Sequence, residues 1–215
     1  MFCYIVGAVP GDFNIVKKSG DIIIAADGGL DSLLKAGIYP DIFLGDMDSV
    51  QAGTVPNVTE IIKHPVEKDD TDTALAVEHA LGLGYTKFII YGCIGGGFDH
   101  TLGNMAVLKR LAGRGYTALF ADGEHGITAF SESSIRFSAE AAGRLSVFSF
   151  TDECAGVDIR GLKYETDKIV LSSDVTLGIG NEFNGREAEI SVKSGVLGVY
   201  TSVRNFLEFS NMFDK

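Results

Sequence analysis

The stretch Ile22-Ile23-Ile24-Ala25-Ala26-Asp27-Gly28-Gly29-Leu30-Asp31-Ser32-Leu33-Leu34-Lys35-Ala36 decides the reading of the first half of the chain. Its opening, Ile22–Ala25, is an unbroken apolar run, the signature of a strand buried on both faces. The run is closed by an acid and two glycines. From Gly29 to Ala36 the residues Leu30, Leu33 and Leu34 then recur at helical spacing. The same alternation is repeated outward. Strands are predicted at Phe2–Val6, Ile42–Leu44, Val58–Ile62, Phe88–Tyr91 and Ala118–Ala121, with helices at Thr73–Leu83 and Leu102–Ala112. Short apolar strands alternating with helices imply a mostly parallel sheet covered by helices, an α/β domain over residues 1–125.

Beyond Gly126 the texture changes. Ile127–Phe130, Ile135–Phe137, Leu145–Phe150, Val157–Ile159, Ile169–Leu171, Val175–Ile179, Ala188–Val192 and Val196–Ser202 are short and β-prone. Turn-formers such as Ala142-Gly143, Ser172-Ser173-Asp174, Asn184-Gly185 and Ser194-Gly195 separate them. An all-β antiparallel sandwich is expected over residues 126–215. The tail Asn205–Lys215 carries no decisive pattern.

Composition bounds the function. The 215 residues suffice for one large domain or two small ones, and 46% hydrophobic with 22% charged residues is ordinary for a globular chain. A formal charge of −11 argues against a duplex-binding surface, although a divalent cation can bridge carboxylates to a nucleotide's phosphates. No apolar run reaches membrane-spanning length. The start, Met1-Phe2-Cys3-Tyr4-Ile5-Val6, reads as a strand rather than a signal peptide. Cys3, Cys93 and Cys154 form no close pair, so a reducing, cytoplasmic location is expected.

In an open parallel sheet, ligands bind beyond the carboxyl ends of the strands, and that is where the acids collect. Asp27 follows the second strand, and Gly45-Asp46-Met47-Asp48-Ser49 follows the third. Lys68-Asp69-Asp70-Thr71-Asp72 and Gly95-Gly96-Gly97-Phe98-Asp99-His100 each lead into a helix. A single aspartate there reads as readily as a helix cap. Four strand ends carrying aspartate are harder to explain so, because crowded like charges repel unless a cation neutralises them. Oxygen donors without a His or Cys cluster favour a hard cation, and phosphate chemistry points to Mg²⁺. His64, His79, His100 and His125 have no zinc-ligand spacing. Gly95-Gly96-Gly97 lets backbone amides approach phosphate oxygens, though it is neither a Walker loop nor a dinucleotide fingerprint. Spacing alone stops at a metal–polyphosphate site.

The ordered set Ala26-Asp27-Gly28-Gly29, Gly45-Asp46-Met47-Asp48-Ser49, Lys68-Asp69-Asp70-Thr71-Asp72, Phe98-Asp99-His100, Gly161-Leu162-Lys163-Tyr164 and Asn181-Glu182-Phe183 resembles the thiamin pyrophosphokinase family. The resemblance implies a homodimer with active sites shared between subunits, and transfer of a diphosphoryl group from ATP to thiamin with release of AMP. It implies Asp46, Asp48 and Asp72 as Mg²⁺ ligands, and Thr71 and Asp99 as substrate-contacting groups. Asp27, with Gly28, falls on the nucleotide side, while Gly180 and Asn181 fall on the thiamin side. Two positions depart from the family's pattern: Gly97, where Arg is common, and Gly180, where Ser is common. Asp46-Met47-Asp48 also resembles the acidic pair of sugar-nucleotide transferases, but that reading leaves Lys68–Asp72 and the β half unexplained. A non-catalytic thiamin or nucleotide sensor is the remaining alternative. Its mark would be a lost metal ligand, and all three are present.

Overall fold

A computed structural model describes residues 1–45, 60–63 and 70–214. The chain divides into two compact units, Met1–Val107 with Phe120–Gly123, and Leu108–Leu119 with Glu124–Lys215.

In the first unit the strands are β1 (Cys3–Val6), β2 (Ile22–Ala26), β3 (Ile42–Gly45), β4 (Glu60–Lys63) and β5 (Lys87–Tyr91). They hydrogen-bond in the order β5-β1-β2-β3-β4, every pair parallel, with Cys3 opposite both Ile22 and Phe88. Val58 and Thr59 of the predicted fourth strand lie outside the described residues. The strands are short and β1 and β3 are buried throughout, as apolar runs without polar alternation require. The helices are α1 (Gly29–Lys35), α2 (Asp72–Gly82) and α3 (Phe98–Gly113). α1 packs on β1 and β2 closely enough that a Cβ on Gly29 would overlap the carbonyl oxygen of Val6. α2 buries Ala74, Ala76, Val77 and Ala80, small residues that let it settle against β1, β2 and β3.

Two acids at the amino ends of the strands have purely structural work. Asp21 accepts from the N–H groups of Phe2 (2.7 Å) and Lys18 (2.9 Å), and Asp41 from that of Ile23 (2.7 Å). They satisfy backbone donors that the sheet's lower edge leaves unpaired.

β6 (Thr117–Ala121) carries the chain onward. The second unit contains β7 (His125–Ser131), β8 (Ser134–Phe137), β9 (Arg144–Ser149), β10 (Glu153–Arg160), β11 (Thr166–Ser172), β12 (Asn181–Glu182), β13 (Ala188–Ser191) and β14 (Val196–Ser202). These pair antiparallel as β12-β9-β14-β7 and β11-β10-β13-β8. Alternate residues of both arrays meet in one core that includes Ile135, Phe137, Leu145, Val147, Val157, Ile159, Ile190, Leu197 and Val199. Phe137 stands edge-on to Phe183 at 5.2 Å and against Phe206 at 5.9 Å. Truncating so enclosed an aromatic to alanine costs about 3–5 kcal/mol.

Two expectations need correction, and the tail, which carries no decisive pattern in sequence, takes a definite form. Val175–Ile179 is not a strand: it lies in turns, with Val175, Leu177 and Ile179 exposed, and the left-handed glycines Gly178 (φ +98°) and Gly180 (φ +78°) interrupt any extended run. The tail is ordered, forming α4 (Val203–Phe209), capped by Ser202 Oγ accepting from the Asn205 N–H at 3.3 Å and anchored by buried Phe206 and Met212. α3 begins at Phe98 rather than Leu102, because its first turn carries the Asp-His-Thr segment instead of apolar periodicity. No helix among the described residues is long and apolar enough to cross a membrane.

Candidate functional site

The strand order reverses at β1: β2, β3 and β4 continue to one side, and β5 lies on the other. The exits of β1 and β5 stay hydrogen-bonded just past the strand ends, Gly7 N–H to Tyr91 O at 2.8 Å and Val9 N–H to Gly92 O at 3.1 Å, and the crevice of this switch point lies beyond them at the carboxyl edge of the sheet. A cavity of about 350 Å³ occupies that crevice. It is walled by Gly7–Pro10 after β1, Ala26 and Asp27 after β2, Thr71–Thr73 at the start of α2, and Gly92, Gly95–Gly97, His100 and Asn104 around the start of α3.

Asp27 sits where β2 gives way to α1 with φ +48°, in the left-handed region that aspartate tolerates better than most residues but seldom adopts. Its N–H donates to Leu44 O (2.8 Å) and its carbonyl accepts from the Leu30 N–H (3.1 Å), so the surrounding backbone enforces the conformation. Gly28 precedes α1, and a Cβ there would stand 3.2 Å from that of Ala8 on the opposite wall. Thr71 caps α2, its Oγ1 accepting from the Ala74 N–H at 3.2 Å. Capping is therefore the task of Thr71, and Asp72, the first helical residue, is not needed for it. Thr73 lies one residue deeper and is buried.

Asp99 occupies the first turn of α3, exposed, with Oδ1 lying where a Cβ on Gly97 would have to go. Asp46 and Asp48 lie outside the described residues. Among the described residues no three His, Cys, Asp or Glu side chains converge to hold a metal ion. The cavity nevertheless offers carboxylate and hydroxyl oxygens from Asp27, Asp72, Thr71 and Thr73, a donor set suited to a hard cation rather than to zinc.

Gly180 and Asn181 belong to the second unit. Gly180 (φ +78°) donates its N–H to Ser146 Oγ at 3.0 Å. A Cβ there would meet open space, but the left-handed backbone would strain the serine that is common at this place in the family. Asn181 is buried and its amide is committed. Oδ1 accepts from the N–H groups of Tyr164 (3.0 Å) and Glu182 (2.9 Å), and Nδ2 donates to Tyr164 O (2.7 Å). Asn181 thus fixes the turn that holds Tyr164 outward, 60% exposed. Lys163 Nζ lies 5.5 Å from that ring's centroid and 3.0 Å from Glu182, whose carboxylate holds the ammonium above its ordinary range.

The β1 exit loop, Thr73 and Asn104 carry no motif in the sequence that marks them as site residues, whereas His100 stands within the Phe98-Asp99-His100 motif. Gly7–Pro10 is recognisable by position, because it follows a strand of the parallel sheet as Asp27 does. Asn104 gives no such signal, being one polar residue on a helix. Two larger hollows, about 730 and 740 Å³, lie on the second unit and are rimmed by ion pairs such as Arg136–Glu189 and Arg160–Asp158, both 3.0 Å.

Residues 13–119 match the family model described as thiamin pyrophosphokinase, catalytic domain, and residues 132–197 the one described as thiamin pyrophosphokinase, vitamin B1 binding domain. The chain is 27% identical over 179 residues to a thiamine pyrophosphokinase of Bacillus subtilis, covering 81% of this chain and 84% of that protein. The crystal structure of a thiamine pyrophosphokinase from Bacillus subtilis superposes with a TM-score of 0.82 at 25% identity, covering 94% of this chain and 99% of that one. A thiamin pyrophosphokinase from Geobacillus thermodenitrificans gives 0.80 at 26% identity, with 94% and 97% covered.

Proposed function

Because this chain belongs to the thiamin pyrophosphokinase family, matching both of its domain models, we propose that it transfers the diphosphoryl group of ATP to the hydroxyl of thiamin. The products are thiamin diphosphate and AMP. Residues 1–125 form the catalytic α/β domain in this reading, and residues 126–215 a β-sandwich that binds thiamin. The observation that carries the proposal is the cavity at the β1/β5 switch point, where carboxylates and a glycine loop face each other across a space suited to a polyphosphate.

In the reaction the thiamin hydroxyl oxygen forms a bond to the β-phosphorus, the bond from that phosphorus to the bridging oxygen of AMP breaks, and the hydroxyl proton is released. Asp46, Asp48 and Asp72 are the residues that would hold Mg²⁺, which when bound offsets charge on the transferred group. The protein's own task is positioning. Gly96 and Gly97 bring N–H groups toward phosphate oxygens, Asp27 and Thr71 line the nucleotide side, and Asp99 stands at the mouth beside Gly97. On the thiamin side, Asn181 acts by holding the Tyr164 turn, and Gly180 leaves room beside it. We further propose a homodimer whose sites combine groups from both subunits, working in a reducing cytoplasm in keeping with its three free, buried thiols.

The test is product identification. Purified protein with ATP labelled in the adenosine moiety, Mg²⁺ and thiamin should release AMP only when thiamin is present, with thiamin diphosphate formed in equal amount. Release of ADP, or AMP release indifferent to thiamin, would refute the assignment.

A further inference from the structure

The loop between β5 and α3 is held in shape by α3 itself. Thr101 Oγ1 accepts a hydrogen bond from the Gly95 N–H at 3.1 Å and donates to the carbonyl of Gly97 at 3.1 Å, the Gly95 carbonyl being farther at 3.4 Å. Three residues on, along the same face of the helix, Asn104 Nδ2 donates to the carbonyl of Cys93 at 2.7 Å. A helical threonine bonding the carbonyl four residues before it is common. The bond to Gly95 is not of that kind, because it reaches out of the helix and across the loop. Gly95 (φ +93°) and Gly96 (φ +72°) both adopt left-handed backbone, and glycines left untethered would sample many other conformations. The N–H groups of Gly96 and Gly97 have no partner among the described residues.

A second observation points the same way. Asn104 is only 5% exposed and lines the cavity, and the Cys93 bond fixes its amide. Its Oδ1 has no hydrogen-bond partner among the described residues, uncommon for a buried amide oxygen. That oxygen can receive a hydroxyl or amino donor of a bound nucleotide, not a phosphate oxygen, which is itself an acceptor.

We propose that Thr101 and Asn104 are positioning residues for the nucleotide, strapping Cys93–Gly97 so that its N–H groups are set before ATP arrives. The inference rests on reading the cavity as the ATP site. Such a strap lowers the ordering cost of binding and leaves the transfer step itself alone.

Thr101→Val keeps the shape of the side chain and removes the hydroxyl. It should raise KM for ATP about five- to tenfold, the effect of losing roughly one hydrogen bond, with kcat within about twofold and KM for thiamin unchanged. Thr101→Ser restores the hydroxyl and should bring KM for ATP back to within about twofold of wild type. Asn104→Leu should weaken ATP in the same selective manner. Calorimetric titration with MgATP, without thiamin, reads the affinity independently of turnover and should fall by the same factor. An unchanged ATP affinity in Thr101→Val would overturn the inference. So would equal losses toward ATP and thiamin that Thr101→Ser fails to relieve. If the wild type releases no thiamin-dependent AMP, the reaction assignment falls, and calorimetry alone judges the strap.

Discussion

Replacing Gly97 by arginine tests how the cavity handles polyphosphate. The resemblance puts Arg at this position, and among the described residues no Lys or Arg lines the cavity beside the glycine loop. Unlike Gly95 and Gly96, Gly97 has a φ outside the left-handed range, so its backbone accepts a side chain without strain. The obstacle is steric: a Cβ would overlap Asp99 Oδ1 and stand 3.3 Å from His100 Cδ2. Both belong to exposed side chains that can turn away. Displacing Asp99 from its rotamer costs about 0.5–1.5 kcal/mol. Pairing of the new guanidinium with that exposed carboxylate competes for up to about 1 kcal/mol. Against this, a charge-assisted hydrogen bond to phosphate contributes about 1.5–3 kcal/mol. The balance is a gain of about 1 kcal/mol, or roughly three- to sixfold in affinity. Gly97→Arg should therefore lower KM for ATP by about that factor at saturating thiamin, leave KM for thiamin nearly unchanged, and keep the unfolding midpoint. Gly96→Arg is the contrast. At φ +72°, with its Cβ 3.2 Å from Val9 Cγ2, it should lower the midpoint and raise KM for ATP. A raised ATP requirement together with a lowered midpoint in Gly97→Arg would refute the reasoning and assign Gly97 a backbone role.

Asp48→Asn should cut turnover by about a hundredfold or more while far-UV circular dichroism stays native, since an amide is a poor Mg²⁺ ligand; wild-type rates at subsaturating Mg²⁺ would remove Asp48 from the metal set. If sites are shared across a dimer, mixing Asp72→Ala and Asn181→Ala chains should restore part of the activity that each lacks, and proven subunit exchange without recovery would exclude sharing. Burial pushes the Tyr91 hydroxyl up to about 12 from 10, so the folded state binds this proton more tightly. The stability it contributes is complete below pH 10 and lost as pH rises through 12, a change of roughly 2–3 kcal/mol. Tyr91→Phe lacks the titration and should show a shallower decline in denaturant midpoint over that range; parallel declines would mean that other groups dominate.

The parallel half was legible because its strands are nearly pure apolar runs: Ile22–Ala25 was expected and Ile22–Ala26 is found. Of the carboxyl-edge acids, Asp27 and Asp72 line the cavity because both follow on from the parallel sheet's edge, and Asp46 and Asp48 lie outside the described residues. Val175–Ile179 misled because its alternating apolar residues imitate a strand, while the decisive fact, left-handed backbone at Gly178, leaves no trace in hydropathy. The tail was opaque because a seven-residue helix offers fewer than two full periods, and Phe206 is buried by strands far away in sequence. Asn104 and Thr101 were missed for a related reason. Their importance lies in which carbonyls and N–H groups stand opposite, and a sequence does not state that for ordinary polar residues.

The sheet order also bears on how the protein is made. One part of the cavity's lining, Gly7–Pro10, leaves the ribosome early, whereas another, Gly92–Asn104, emerges only after four strands and two helices of the described residues. β1 cannot take its second neighbour until Phe88 has been synthesised to meet Cys3. At about 5–20 residues per second, a nascent chain therefore spends seconds with one edge of β1 unpaired and the cavity incomplete. If the cavity is the ATP site proposed above, ATP can stabilise the completed domain by mass action but has nothing to hold in a chain arrested before α3. Truncated products would have to be rescued by chaperones rather than by the substrate.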